Sequence, residues 1–175
     1  MRCWVTAIAT PDRRDQLHEA QWICEDTHPD PTCVASCQSV VESMTSLIRG
    51  QPVDESVLVA ISIAGHSSDV VARKISGSDC LPWDRWTNSG WTVGTIESAF
   101  AALQQSTSFE EGLTSIVNRG NDADTVGAVA GALLGARFGY NSIPKRWLSK
   151  LEKADILVHC AMELQKLRRK RYRVR

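Results

Sequence analysis

Glycine recurs at every fourth position, as Gly127, Gly131 and Gly135, within the stretch GNDADTVGAVAGALLGARFG that runs from Gly120 to Gly139. Residues four apart share one face of a helix, so the three glycines form a groove along it. Each costs about 1 kcal/mol of helix propensity relative to alanine. Close approach of a second helix is the simplest compensation, which makes this segment a central helix with others packed around it.

The rest of the chain carries helical periodicity almost throughout, and the predicted class is all-α. Thr10-Pro11 reads as an N-cap with proline at the first helical position, followed by an apolar stripe of Leu17, Ala20 and Cys24 that ends near Asp26. Asp30-Pro31 repeats the start signal, with Val34, Cys37, Val41, Met44 and Ile48 on one face and Gly50 as the stop. Asp54 is placed to cap a third helix through Ile63, so uniformly apolar that burial is expected. A short amphipathic piece covers 68–75. Residues 77–90 are irregular, rich in turn formers, and hold Trp83, Asp84 and Trp86. Thr92 opens a helix with Val93, Ile96, Phe100 and Leu103 inward, and Ser108 to Glu111 is a capping box for one ending around Asn118. After the glycine-striped helix, Pro144 starts a short one. Asp155 starts the last, with Ile156, Cys160 and Leu164 expected inward. No strand pair and no internal repeat is legible.

A length of 175 residues suits one domain, and 43% hydrophobic residues suffice for a core. Lysine plus arginine and aspartate plus glutamate balance at 20 each, but six of the last eight residues are basic, leaving 14 basic against 20 acidic in the body. The domain is therefore read as residues 1–167, with 168–175 as a basic tail. The tail is expected to be a solvated, frayed terminus; phosphate contact and nuclear import are the alternatives. Its single aromatic, Tyr172, gives no stacking platform, so nucleic acid is not an expected partner. Six cysteines occur without a Cys-x-x-Cys pair, and Cys33 and Cys37 suit two core thiols on one helix face. The N-terminal pattern does not read as a secretory leader, and no membrane-length apolar run is legible. Free thiols in an intracellular, cytoplasmic setting follow as the expectation, with a nuclear location through the tail as the alternative.

Asp122 and Asp124 fall at the start of the glycine-striped helix, with Thr125 beside them. One aspartate there caps free N–H groups and complements the helix dipole. Two repel, and a cation between them removes the conflict. Carboxylate and hydroxyl oxygens are hard ligands, favouring Mg²⁺, Mn²⁺ or Ca²⁺ over Zn²⁺. The competing reading is a capped helix with a spare acid.

The stretch from Gly120 to Glu152 resembles the end of the ADP-ribosylglycohydrolase family. That family's hallmark is Gly-Gly-Asp-x-Asp-Thr, a Gly/Ala helix, then Ile-Pro-x-x-Trp. Here these read Gly120-Asn121-Asp122-Ala123-Asp124-Thr125 and Ile143-Pro144-Lys145-Arg146-Trp147. The segment from Thr27 to Cys37 is similar to the family's Thr-His-x-Asp region. The segment from Ser89 to Phe100 is similar to its Gly-Tyr-Val-x-x-Thr-Leu region, with Trp91 in the aromatic place, and Met1-Arg2 looks like its internal Met-Arg. The likeness runs to about Leu167. It implies a compact multi-helix fold lacking its N-terminal helices, because the family's Thr-Asp-Asp motif occurs nowhere in this chain.

The resemblance implies that Asp122, Asp124 and Thr125 bind Mg²⁺ (a pair of ions in the complete family site, Mn²⁺ being an alternative), with Asp124 as the shared ligand. His28 would contact a ribose and Trp91 the adenosine side. The implied reaction is Mg²⁺-dependent hydrolysis of the glycosidic bond between ADP-ribose and a protein side chain. ADP-ribose or an ADP-ribosylated protein is then the partner, together with a separate N-terminal half that completes the metal shell; alone, the chain would be inactive. The alternative is a non-catalytic ADP-ribose-binding or crystallin-like structural member. Trp147 is read as core and Asp30 as an N-cap.

Overall fold

Three of the helix starts in this protein fall where an Asp or Ser side chain accepts from free backbone N–H groups. A computed structural model describes residues 2–173, the last two of these by backbone alone. Met1 of the Met-Arg match, Val174 and Arg175 of the basic run, and the Tyr172 side chain lie outside the described residues. The helices are α1 (Val5–Ala9), α2 (Arg13–Glu25), α3 (Pro31–Ile48), α4 (Val53–Ala64), α5 (Asp69–Ser76), α6 (Thr92–Gln105), α7 (Phe109–Val117), α8 (Ala123–Phe138), α9 (Lys145–Leu148) and α10 (Ala154–Arg173). Short 3₁₀ turns occur at Ser78–Cys80, Trp83–Arg85 and Tyr140–Ser142, and no strand occurs among the described residues. The all-α expectation holds.

Several starts match the sequence reading. Asp30 accepts from Thr32 N–H at 2.8 Å with Pro31 at the first position of α3, and Ser108 accepts from Glu111 N–H at 3.2 Å to begin α7. The Glu111 carboxylate, however, turns back to Thr107 N–H at 2.8 Å. Thr10 does not cap α2. Asp12 does, accepting from Arg14 and Asp15 N–H at 2.9 and 3.1 Å. Thr10 instead closes α1, a helix of five residues and thus too short to show a period. The buried Gln16 side chain ties this junction down, donating to Thr6 O at 3.1 Å and Thr10 O at 3.0 Å.

Two helices organise the core. α3 packs on α2, α4 and α8, while α8 packs on α3, α6 and α7. Phe100 and Leu103 on α6 and Leu133 and Leu134 on α8 are fully buried, each such side chain contributing about 1.5–3 kcal/mol of transfer free energy. The glycine groove of α8 receives α7. A Cβ on Gly127 would lie 3.2 Å from Val117 Cγ2, one on Gly131 3.7 Å from Leu113 Cδ1, and one on Gly135 4.0 Å from Phe109 Cε2. The two helices therefore approach closest at the acidic end of α8.

Three expectations are corrected. α4 begins at Val53 behind Pro52, not with Asp54 as its cap, and buries only Ser56, Val57, Ala60 and Ala64, leaving Leu58 58% exposed. α10 does not turn Ile156 and Cys160 inward; both are exposed, with Leu157, Val158 and Met162. Over its described residues the basic run is helical rather than frayed, since α10 continues to Arg173. Arg168 Nη1 donates to Ala7 O at 2.7 Å, and Arg171 Nη1 reaches Thr10 Oγ1 and Glu19 Oε1, each at 3.0 Å. These contacts seat α10 on α1. No helix of the described residues is long and apolar enough to cross a membrane.

Candidate functional site

The turn between α7 and α8 runs through Gly120 and Asn121, both left-handed, with φ of +69° and +51°. It delivers Asp122 to the position before α8. There the side chain makes no capping bond to the helix. Its Oδ1 accepts from Thr125 Oγ1 at 2.8 Å instead. A capped helix with a spare acid therefore does not describe Asp122, whose carboxylate is left for other partners. Its backbone N–H donates to Asn88 O at 3.0 Å.

Asp122 and Thr125 line a cleft of about 830 Å³. His28 and Asp30 enter it from the loop between α2 and α3, and Trp91 from the start of α6. His28 is exposed, with Nδ1 2.8 Å from Thr27 Oγ1. Trp91 is 58% exposed, a wide indole face at the cleft wall. Thus His28, Trp91, Asp122 and Thr125, drawn from three segments, meet around one space. Asp124 does not line it and is exposed on the first turn of α8. Asp30 combines its capping role with a place in the wall.

The cleft also holds residues that sequence reasoning missed. Cys3, Cys24, Cys33 and Cys37 all line it. Cys33 and Cys37 are half-buried in the wall; of the two expected core thiols only Cys37 packs against the core. Cys24 Sγ donates to His28 O at 3.3 Å, and Cys3 Sγ to Cys37 O at 3.7 Å. Burial pushes the Cys24 thiol up to about 12. The hydrogen bond Cys37 gives to Cys3, and then burial, hold the Cys37 thiol far above its ordinary value. These two thiols are uncharged at neutral pH, while the same hydrogen bond from Cys37 lowers the Cys3 thiol from its ordinary value. The Thr95 hydroxyl, on the same wall one helical turn after Trp91, is buried without a hydrogen-bond partner.

The oxygen donors of Asp122 and Thr125 suit a hard cation in kind. They are few: among the described residues no three His, Cys, Asp or Glu side chains gather closely enough to hold a metal ion.

A family model described as ADP-ribosylglycohydrolase matches residues 1–174. The chain is 29% identical over 147 residues to an ADP-ribosylarginine hydrolase Tri1 of Serratia proteamaculans, covering 79% of this chain and 37% of that protein. It is 30% identical over 155 residues to an ADP-ribosyl-(dinitrogen reductase) glycohydrolase of Rhodospirillum rubrum, covering 87% of this chain and 49% of that protein. A solved structure titled ADP-ribosylglycohydrolase-related protein complex superposes with a TM-score of 0.79 at 26% identity, over 93% of this chain and 57% of that one. The chain thus spans half or less of the length of these two curated relatives.

Proposed function

The chain belongs to the ADP-ribosylglycohydrolase family, and from that premise we propose that it forms one wall of a site for Mg²⁺-dependent hydrolysis of the bond between ADP-ribose and a protein side chain. What supports this reading is the meeting of His28, Trp91, Asp122 and Thr125 around a single cleft. Asp122 and Thr125 would hold the metal from the cleft wall, with Asp124, exposed on the first turn of α8 outside that wall, turning to reach the same ion; Mn²⁺ would serve in place of Mg²⁺. A divalent ion bound there supplies Lewis-acid polarisation of ribose hydroxyls and of a water near the anomeric carbon. The Thr125 hydroxyl, bonded to Asp122 Oδ1, fixes the carboxylate plane and leaves Oδ2 for the ligand. The Trp91 indole offers its face to adenine. His28, exposed beside Thr27, hydrogen-bonds a ribose hydroxyl. The uncharged Cys24 and Cys37 thiols exclude water from the apolar side of the nucleotide without competing for a hard cation.

The remaining ligands come from a further segment, which we place in a separate N-terminal half. The shortage of acidic groups favours a second reading, in which this chain by itself binds ADP-ribose without cleaving it. A thermal melt with and without Mg²⁺ and ADP-ribose, beside an Asp122→Ala/Asp124→Ala control, tests the site. A rise that needs both ligands and vanishes in the control is the expected result. A ligand-blind melt of a folded chain would refute it. Release of free ADP-ribose from an ADP-ribosylated arginine peptide, measured on the same samples, separates hydrolysis from binding alone.

A further inference from the structure

Asn88 lies in the irregular segment before α6 and is only 3% exposed. Its Nδ2 donates to two carbonyls, Ile116 O at 2.9 Å and Gly120 O at 2.9 Å. Because both partners can only accept, the amide nitrogen must face them, and the amide orientation is fixed. Its Oδ1 is left buried without a partner, so the side chain tolerates an unmet acceptor to keep both donations. Its own carbonyl accepts the Asp122 N–H at 3.0 Å. One residue thereby holds the end of α7, the turn that follows, and the first member of the acidic pair.

The clamp holds a left-handed turn, Gly120 at φ +69° followed by Asn121 at +51°, built from the two residue types that adopt positive φ most readily. The segment carrying Asn88 is itself pinned to α6, because Ser98 Oγ accepts from Thr87 N–H at 2.7 Å and donates to Thr87 O at 3.0 Å. Two residues beyond Asn88, the chain closes on the carboxylate from its other side. Gly90, at φ +71°, leaves room where a Cβ would sit 3.3 Å from Asp122 Oδ2.

We propose that Asn88 is the positioning residue of the acidic wall: by tying the segment 87–90 to the α7–α8 turn, it sets where the Asp122 carboxylate stands in the cleft. Asn88 touches neither metal nor substrate in this scheme and acts through Asp122. Its effect on metal affinity rests on the function proposed above; its effect on Asp122 does not.

The test uses the full chain with Asn88→Asp, which keeps the shape and loses the donor, and Ser98→Ala, a milder loosening of the same segment. Hydrogen exchange at the Asp122 amide is followed beside Mn²⁺ affinity read by water-proton relaxation. The Asp122 amide is expected to exchange at least about tenfold faster in Asn88→Asp and Mn²⁺ to bind about tenfold more weakly, the size usual for lost outer-shell support, with Ala60 in α4 unchanged. Ser98→Ala is expected to move both readouts the same way by less, which carries the test should Asn88→Asp fail to fold. Unchanged Asp122 exchange in a folded variant overturns the proposal, even if Mn²⁺ binds. A response at Asp122 in a chain that binds no Mn²⁺ upholds the positioning role and removes the metal from it.

Discussion

Cys24 shows how strongly a single residue's surroundings set its chemistry. Its thiol lies against the His28 carbonyl in the cleft wall, and burial first, then the neighbouring Cys37, raise it from an ordinary value near 9 to about 12. Between those two pH values the folded chain holds a proton that the unfolded chain has lost. The stability this provides is full below pH 9 and declines as pH climbs toward 12. Urea unfolding at about pH 8 and about pH 10.5 should show wild type losing roughly 1–2 kcal/mol more than Cys24→Ala over that interval. Equal losses would mean that the thiol is not desolvated in the folded state. The sequence could not reveal this cluster, because Cys3, Cys24 and Cys37 belong to separate segments that only the fold brings together. Asp122 and Thr125 were legible because three residues of helix bring their oxygens to 2.8 Å. Asp124 was legible as a residue type but not as a direction. Asp122 precedes α8 while Asp124 lies on its first turn, so with Asp122 in the cleft wall Asp124 stands outside it.

Among the elements, the α7–α8 contact separates what a stripe of glycines announces from what it requires. Gly131 has ordinary van der Waals room for a Cβ, 3.7 Å from Leu113 Cδ1, within a regular helix. Gly131→Ala should therefore raise stability by up to about 1 kcal/mol, through helix propensity and a less free unfolded chain. Gly112 on α7 belongs to no stripe, yet a Cβ there would lie 2.6 Å from Ser106 Oγ and 2.8 Å from Leu134 Cδ1. Gly112→Ala should cost about 1–3 kcal/mol, as overpacking does. Thermal melts of the two single variants check the contrast, and a destabilised Gly131→Ala would mean that the helices approach more closely than these distances indicate. Periodicity made the helices legible, and Val93, Ile96, Phe100 and Leu103 of α6 all went to the core. It misled at α4 and α10 for a common reason. A pattern identifies the apolar side of a helix but not whether another element covers it, and Leu58, Ile156 and Met162 have little over them.

The molecule as a whole is a helical body with α10 laid along one side. An apolar groove between them takes in Ile8 and Ile48 from the body and Leu157, Val158 and Met162 from α10. Apolar contacts therefore leave α10, a helix of twenty residues, only partly covered, and polar contacts also tie it to α1. Arg168 satisfies the Ala7 carbonyl, one of those left free at the end of α1. Arg171 joins Thr10 and Glu19. Replacing both arginines by alanine should free the helix without unfolding the body. Amide exchange through α10 would rise by about tenfold or more while α3, α6 and α8 keep their protection, as expected for local opening. Binding of a hydrophobic dye should rise as the groove opens. High salt should reproduce only part of the effect, because screening weakens the Arg171–Glu19 pair but leaves the Arg168–carbonyl bond in place. The Mg²⁺ and ADP-ribose response should persist in the variant, since no residue of α10 lines the cleft. Unchanged exchange in α10 would show that the apolar contacts suffice, and Arg168 and Arg171 would then have no part in holding the helix down.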